Sequence, residues 1–286
     1  MLLDDLAAQP RPQLHTLRVG FTQQTSLSQT WDETLEDVGR AYRPGEDVVV
    51  ADQAMAPGHA RAWDEAEALY REALAGMRED RSQYRHAFPA ALNNLAYLLK
   101  KKEEYQEAEV LYTEAIDLVE KVFGKSHPRS ILYRNNLAAT LELGGKVDEA
   151  RKQMEESIPL TAQLHGEDHW RVGRAWRSLG VLLFRNGEFA DSAEAFHTSG
   201  EVFARGLGPD HLWTATSGVL EATSLYLAGE EDEADRVWRQ AAVLLDTPDA
   251  RVDDNVQGMI RLVHDNLPEG NRDWEARLET LMSADG

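Results

Sequence analysis

The sequence predicts an all-α protein, a right-handed superhelical solenoid of helix-turn-helix repeats. Three observations carry that prediction. Gly124, Gly166 and Gly208 recur every 42 residues, and His127, His169 and His211 keep the same interval just after them. Gly145, Gly187 and Gly229 hold it in another part of the unit. Leu95-Ala96, Leu137-Ala138 and Leu179-Gly180 hold it in a third. A fixed period of this length marks stacked supersecondary units, each burying its apolar face against its neighbours.

Taken in chain order, residues 1–29 are expected to form an extended or mobile N-terminal arm, because Pro10, Pro12 and a Gln/Thr/Ser-rich stretch offer no helical periodicity. Residues 30–61 are expected to hold an N-terminal helical cap and a degenerate first helix. Thr30-Trp31-Asp32-Glu33 has the order of a capping box, and Pro57 and Gly58 interrupt the helix that would follow. The solenoid proper spans 62–245. It starts with the second helix of a partial repeat at 62–80, which turns Trp63, Ala66, Leu69, Tyr70 and Ala73 inward. Full repeats follow at about 87–124, 129–166, 171–208 and 213–245.

Within a repeat the first helix places residues such as Leu92, Leu95, Ala96 and Leu99 on one face. A glycine turn reverses the chain. The second helix then places Ala108, Leu111, Tyr112, Ala115 and Leu118 inward and stops at Phe123-Gly124. Ala or Ser at 108, 150, 192 and 234, and Ala or Gly at 96, 138, 180 and 222, let the two backbones approach closely. Residues 246–286 form a degenerate C-terminal capping repeat. Thr247-Pro248 breaks the chain before a helix at about 253–267, and Ile260, Val263, Leu267 and Ala276 keep the register.

These residues resemble the tetratricopeptide repeat. Leu92, Leu95, Ala96, Leu99, Ala108, Tyr112 and Ala115 satisfy all seven inner positions of that pattern. The second repeat departs only at Arg134, and the fourth at Gly218 and Glu221, a carboxylate where an apolar residue belongs. The 42-residue unit and the segments Leu92-Asn93-Asn94-Leu95-Ala96 and Leu207-Gly208-Pro209-Asp210-His211 look like the kinesin-light-chain subclass. The heptad coiled coil of true kinesin light chains is absent from the sequence. The resemblance implies a non-enzymatic scaffold or adaptor that holds a peptide segment of another protein in a concave groove. Two alternatives follow from it: a cytoskeleton-associated linker related to bacterial kinesin light chain, and a peptide-gated regulator acting through the N-terminal arm.

Composition narrows the partners. The 286 residues carry 50 acidic and 30 basic side chains, a formal charge of −20, which disfavours nucleic acid and anionic membranes. With no cysteine there is no disulfide, thiolate metal site or cysteine nucleophile. No apolar run is long enough to span a bilayer, and Asp4 and Asp5 stand where a signal peptide needs basic residues. The expectation is a cytoplasmic protein, with a homo-oligomer possible through the arm.

No catalytic residue, cofactor or metal site is expected. His127, His169 and His211 could ligate a metal or bond the end of a helix, but neighbouring repeats stand roughly 10 Å apart, too far to share an ion. Gly124-Lys125-Ser126 lacks the upstream glycine of a phosphate loop, since position 119 is Val.

The groove can be anticipated by carrying over, from the resemblance, five first-helix positions in each of four repeats. These 20 positions contain five basic residues (Lys100, Lys101, Arg174, Arg177 and Arg185) and one acidic residue, Glu142, giving +4 on a molecule of −20. That sign reversal points to an acidic partner, because arginine grips carboxylates in a bidentate way. Helix-end charge compensation accounts for Lys100, Lys101 and Arg185 equally well, but not for Arg174 and Arg177. Asn93 and Asn135 are either solvated amides or donors and acceptors for a peptide backbone. Tyr97, Phe184 and Tyr226 are expected as apolar platforms beside them.

Overall fold

The structure is a computed structural model that describes residues 60–79, 84–247, 249–250, 253–268 and 270–282. The expected arm and most of the expected N-terminal cap lie outside these residues. Among the described residues every regular element is a helix. The chain divides into two compact units, 1–103 and 104–286.

The first unit contains α1 (Ala60–Glu79) and α2 (Ala87–Lys101), which pack together. Ala66, Tyr70, Leu74 and Met77 of α1 recur three or four residues apart and are buried. Past the end of α2, Lys102 reaches back to α1, where its ammonium sits 2.8 Å from Asp64 and 2.6 Å from Glu67.

The second unit contains α3 (Tyr105–Phe123), α4 (Pro128–Leu143), α5 (Val147–His165), α6 (Trp170–Arg185) and α7 (Phe189–Leu207). It continues with α8 (Leu212–Leu227), α9 (Glu231–Leu245), α10 (Asp254–Asp265) and α11 (Arg272–Met282). From α3 to α9 each helix packs on the next, and α10 packs on α8 as well as α11. α10 therefore takes the place of the next first helix, and it begins 42 residues after α8.

The recurring histidines do structural work at the turns. His127, His169 and His211 are the N-cap residues of α4, α6 and α8, each in extended backbone geometry. The imidazole Nδ1 of each accepts from the backbone N–H two residues on, at 3.2, 3.2 and 3.1 Å. That satisfies one of the amides a helix start leaves without a partner. The ring also packs backwards: Phe123 stacks on His127 at 4.7 Å and His165 on His169 at 4.9 Å. In the capping repeat Asp253 holds the corresponding position, and its Oδ1 accepts from the Val256 amide at 3.0 Å.

Close helix contact explains the small residues. Ala108, Ala138, Ala150, Ser192, Ala222 and Ala234 are fully buried. A Cβ at Gly180 would stand 2.7 Å from the Phe196 ring, and the Ser192 hydroxyl donates to the Gly180 carbonyl at 2.9 Å. Two of the three departures from the repeat pattern, Arg134 and Glu221, also find partners. Arg134 is 8% exposed and donates to Glu120 (2.8 and 3.0 Å), Gln153 (2.9 Å) and Glu156 (2.9 Å), so its charge links α3, α4 and α5. Glu221 lies 3.0 Å from His197 Nδ1, and burial pushes its carboxyl above the usual range while that histidine pulls it down.

The capping repeat corrects one detail. Ile260 and Val263 are fully buried, but Ala276 is exposed, and the inward positions of α11 are Trp274, Leu278 and Leu281. Trp274 stacks on Tyr226 at 4.8 Å and meets Trp238 edge-on at 5.2 Å. The Trp274 ring thus packs with Ala222, Ala234 and Val237 at the end of the core.

Candidate functional site

In the first unit, α2 carries four of the expected groove residues. Asn93 is 1% exposed and donates to Asn94 Oδ1 at 3.1 Å, so the expectation of an amide presented to a ligand is corrected: burial withdraws it. Tyr97 is half-buried, with the Lys100 and Lys101 ammonium groups 4.7 and 5.6 Å from its ring centre. Burial, reinforced by the neighbouring Lys101 charge, pushes the Lys100 amine down to about 8.

In the second unit, Asn135 of α4 is exposed and its Oδ1 accepts from the Ser157 hydroxyl at 3.0 Å. Phe184 is not a groove platform. It is 2% exposed, lies in the core with Phe196 and Leu220, and meets Phe189 edge-on. Arg185 donates to Glu142 at 2.9 Å, so the one acidic groove position cancels one of the basic ones. Tyr226 is engaged with Trp274 of the cap.

Arg174 and Arg177 are different. Both lie in the first half of α6, both are only partly exposed, and neither forms an ion pair among the described residues. Long helical side chains lean toward the helix N-terminus. The Arg174 guanidinium accordingly lies over Trp170, one turn back, at 5.3 Å. Arg177 lies over Phe203 of α7 at 5.5 Å and over Trp213 of α8 at 5.6 Å. The two tryptophans meet at 5.7 Å, joining the N-terminal ends of α6 and α8. Arg171 is also stacked on Trp170, at 5.1 Å.

Burial pushes the Arg177 guanidinium down to about 10, with the Arg174 charge acting the same way and Asp253 opposing it. Burial also lowers Arg174, and Arg171 adds to that. The arrangement is a set of partly desolvated cations on an aromatic floor. Such a surface attracts an anion, and especially a planar or multidentate one.

Sequence reasoning singled out Arg174 and Arg177 but not Trp170, Trp213, Phe203 and Arg171, which the fold brings beside them. A signal existed. Trp170 precedes Arg174 by four residues, the spacing that brings two helical side chains together, and Trp213 follows Arg171 by 42 residues.

Among the described residues one group has the composition of a metal site. His264, Glu275 and Glu279 bring one ligand atom each within 4.8 Å of one another. His264 Nδ1 is 3.1 Å from Asp265, and Nε2 is 3.8 Å from Glu279, a polar cluster on the capping repeat.

Residues 88–169 match a family model described as tetratricopeptide repeat. The helix pairs of that stretch are tetratricopeptide repeats. A search of curated proteins finds no match. Among solved structures, the chain is similar to the nearly identical TPR-like repeats of a putative kinesin light chain from Podosopora anserina. That likeness has a TM-score of 0.58 at 19% identity, covering 73% of this chain and 93% of the other. It is also similar to BtubC (BKLC) from P. vanneervenii, with a TM-score of 0.59 at 20% identity, covering 77% and 91%. At these identities the likeness is one of fold. The solenoid fold is thus shared with these kinesin-light-chain-like structures, and no described helix is long and apolar enough to cross a membrane.

Proposed function

We propose that this tetratricopeptide-repeat chain is a non-enzymatic, cytoplasmic adaptor that holds an acidic peptide segment of another protein against its first helices. The observation that carries the reading is the pair Arg174 and Arg177, which lie on aromatic rings with no ion pair among the described residues. Removing a charge from water without a partner costs stability. An incoming carboxylate supplies the missing partner and regains much of that cost. Trp170 and Trp213 offer apolar surface next to the charges, and Asn135, exposed on the preceding first helix, offers an amide to the peptide backbone. The cytoskeletal-linker and arm-gated alternatives draw on no feature of the described residues beyond the fold.

An array of decapeptides in which Glu and Asp are replaced stepwise by Gln and Asn tests the reading. The wild-type chain is expected to retain the acidic members and lose the amide ones. R174E/R177E is expected to weaken binding at least about a hundredfold, from two charge-assisted contacts of roughly 1.5 kcal/mol each turned into repulsions. R236E/R239E, an equal charge change on the exposed side of α9, is expected to bind as wild type does. Equal retention by both variants, or indifference to peptide charge, would overturn the proposal.

A further inference from the structure

Seven of the described cations of the second unit form ion pairs, while Lys121, Lys125, Lys152, Arg239, Arg261 and Arg272 are exposed to water. Arg134, Lys146, Arg151, Arg185, Arg205, Arg236 and Arg277 each meet a carboxylate. In a chain where acids outnumber bases 50 to 30, a cation partly withdrawn from water is expected to find a carboxylate. Arg171, Arg174 and Arg177 form no ion pair among the described residues, although they follow one another at three-residue intervals over the first turns of a single helix. Their Cα atoms span about 9 Å along the axis. Arg177 feels Asp253 only as a more distant charge.

Charge count and shape both matter here. A carboxylate brings one negative charge and two oxygens, enough for one guanidinium fork. A phosphoryl ester brings a charge of roughly −1.5 to −2 and three acceptor oxygens, enough to engage two or three forks at once. The aromatic floor of Trp170, Trp213 and Phe203 keeps water from one side of the guanidinium planes, which strengthens each contact. We infer that the arginines of α6 form a phosphoryl-binding site, and that the segment held by the solenoid carries a phosphorylated serine or threonine above the Trp170–Trp213 floor. The inference rests on the peptide-binding reading above and names the group that α6 takes.

The site has a built-in reporter. His165 and His169 stack on each other, His169 adjoins Trp170 at 5.6 Å, and the Arg171 charge already helps lower the pKa of both. A dianion bound to Arg171 reverses part of that influence and raises both histidines.

Four versions of one acidic decapeptide, differing only at two adjacent positions, separate the possibilities: Ser-Ala, Glu-Ala, Glu-Glu and phosphoserine-Ala. The phosphoserine version is expected to bind about tenfold tighter than the charge-matched Glu-Glu version. In the R174K/R177K variant, which keeps charge but loses the forks, that advantage is expected to vanish. The NMR titration curves of His165 and His169 are expected to move to higher pH with the phosphopeptide. Phosphoserine binding no tighter than Glu-Glu would overturn the inference while leaving the acidic-peptide reading intact. Failure of all four peptides would overturn the reading beneath it. Inorganic phosphate binding as tightly as the phosphopeptide would show a site for the free anion, which also overturns the inference.

Discussion

Gly180 shows how one side chain sets the spacing of two helices. The ring of Phe196 occupies the space its Cβ would need, at 2.7 Å, and both residues are buried. Gly180→Ala is expected to destabilise the second unit by about 1–3 kcal/mol through overpacking, read as a lower urea midpoint with an unchanged slope. Arg134 makes the complementary point. Its three partners satisfy a guanidinium that the repeat pattern marks as out of place. Arg134→Ala leaves the Glu120 carboxylate, among the described residues, with only the Ser130 hydroxyl 2.7 Å away, and is expected to cost about 3 kcal/mol in the same measurement.

At the scale of the element, the helix starts are the clearest link between sequence and fold. The interval of 42 residues placed His127, His169 and His211 at turns, and each turn uses the imidazole as an N-cap acceptor. His169→Ala is expected to destabilise by about 1 kcal/mol, while His169→Asn, which can accept the same hydrogen bond, recovers most of it in thermal melts.

The cap also dictates a pH dependence. Burial first, then nearby positive charge, lowers the folded-state pKa of His165 and His169 below the usual 6.5. The unfolded chain therefore takes up protons before the folded one, so the contribution is present above about pH 6.5 and lost as pH falls below it. Melting temperature is expected to drop over that range, and less so in His169→Asn.

Local periodicity made such features legible because each involves residues close in sequence or one repeat apart. The same was not true of Asn93, Phe184, Arg185 and Tyr226. Their surroundings depend on side chains that the repeat pattern leaves variable: Asn94, Phe189, Glu142 and Trp274. Arg174 and Arg177 stood out in sequence by their charge. Their aromatic floor combines α6, α7 and α8, and only the folded arrangement brings it together.

For the whole molecule, the charge of −20 coexists with a local cationic stripe on α6. An acidic exterior repels acidic ligands at long range, whereas the stripe attracts them at contact. Salt screens the first effect over about 8–10 Å and affects partly buried contacts less. Association of an acidic peptide is therefore expected to speed up as salt rises from low to physiological strength, with stopped-flow anisotropy as the measurement. Slower association over that interval would show that the stripe also governs the long-range encounter.

The most direct test of the central claim is where such a peptide lies. An acidic decapeptide carrying a benzophenone can be photo-crosslinked to the chain and its attachment points mapped by mass spectrometry. Crosslinks on the first helices α4, α6 and α8, concentrated near Trp170 and Trp213 and lost in R174E/R177E, are the expected result. Crosslinks on the second helices α5, α7 and α9, unaffected by that variant, would contradict the account.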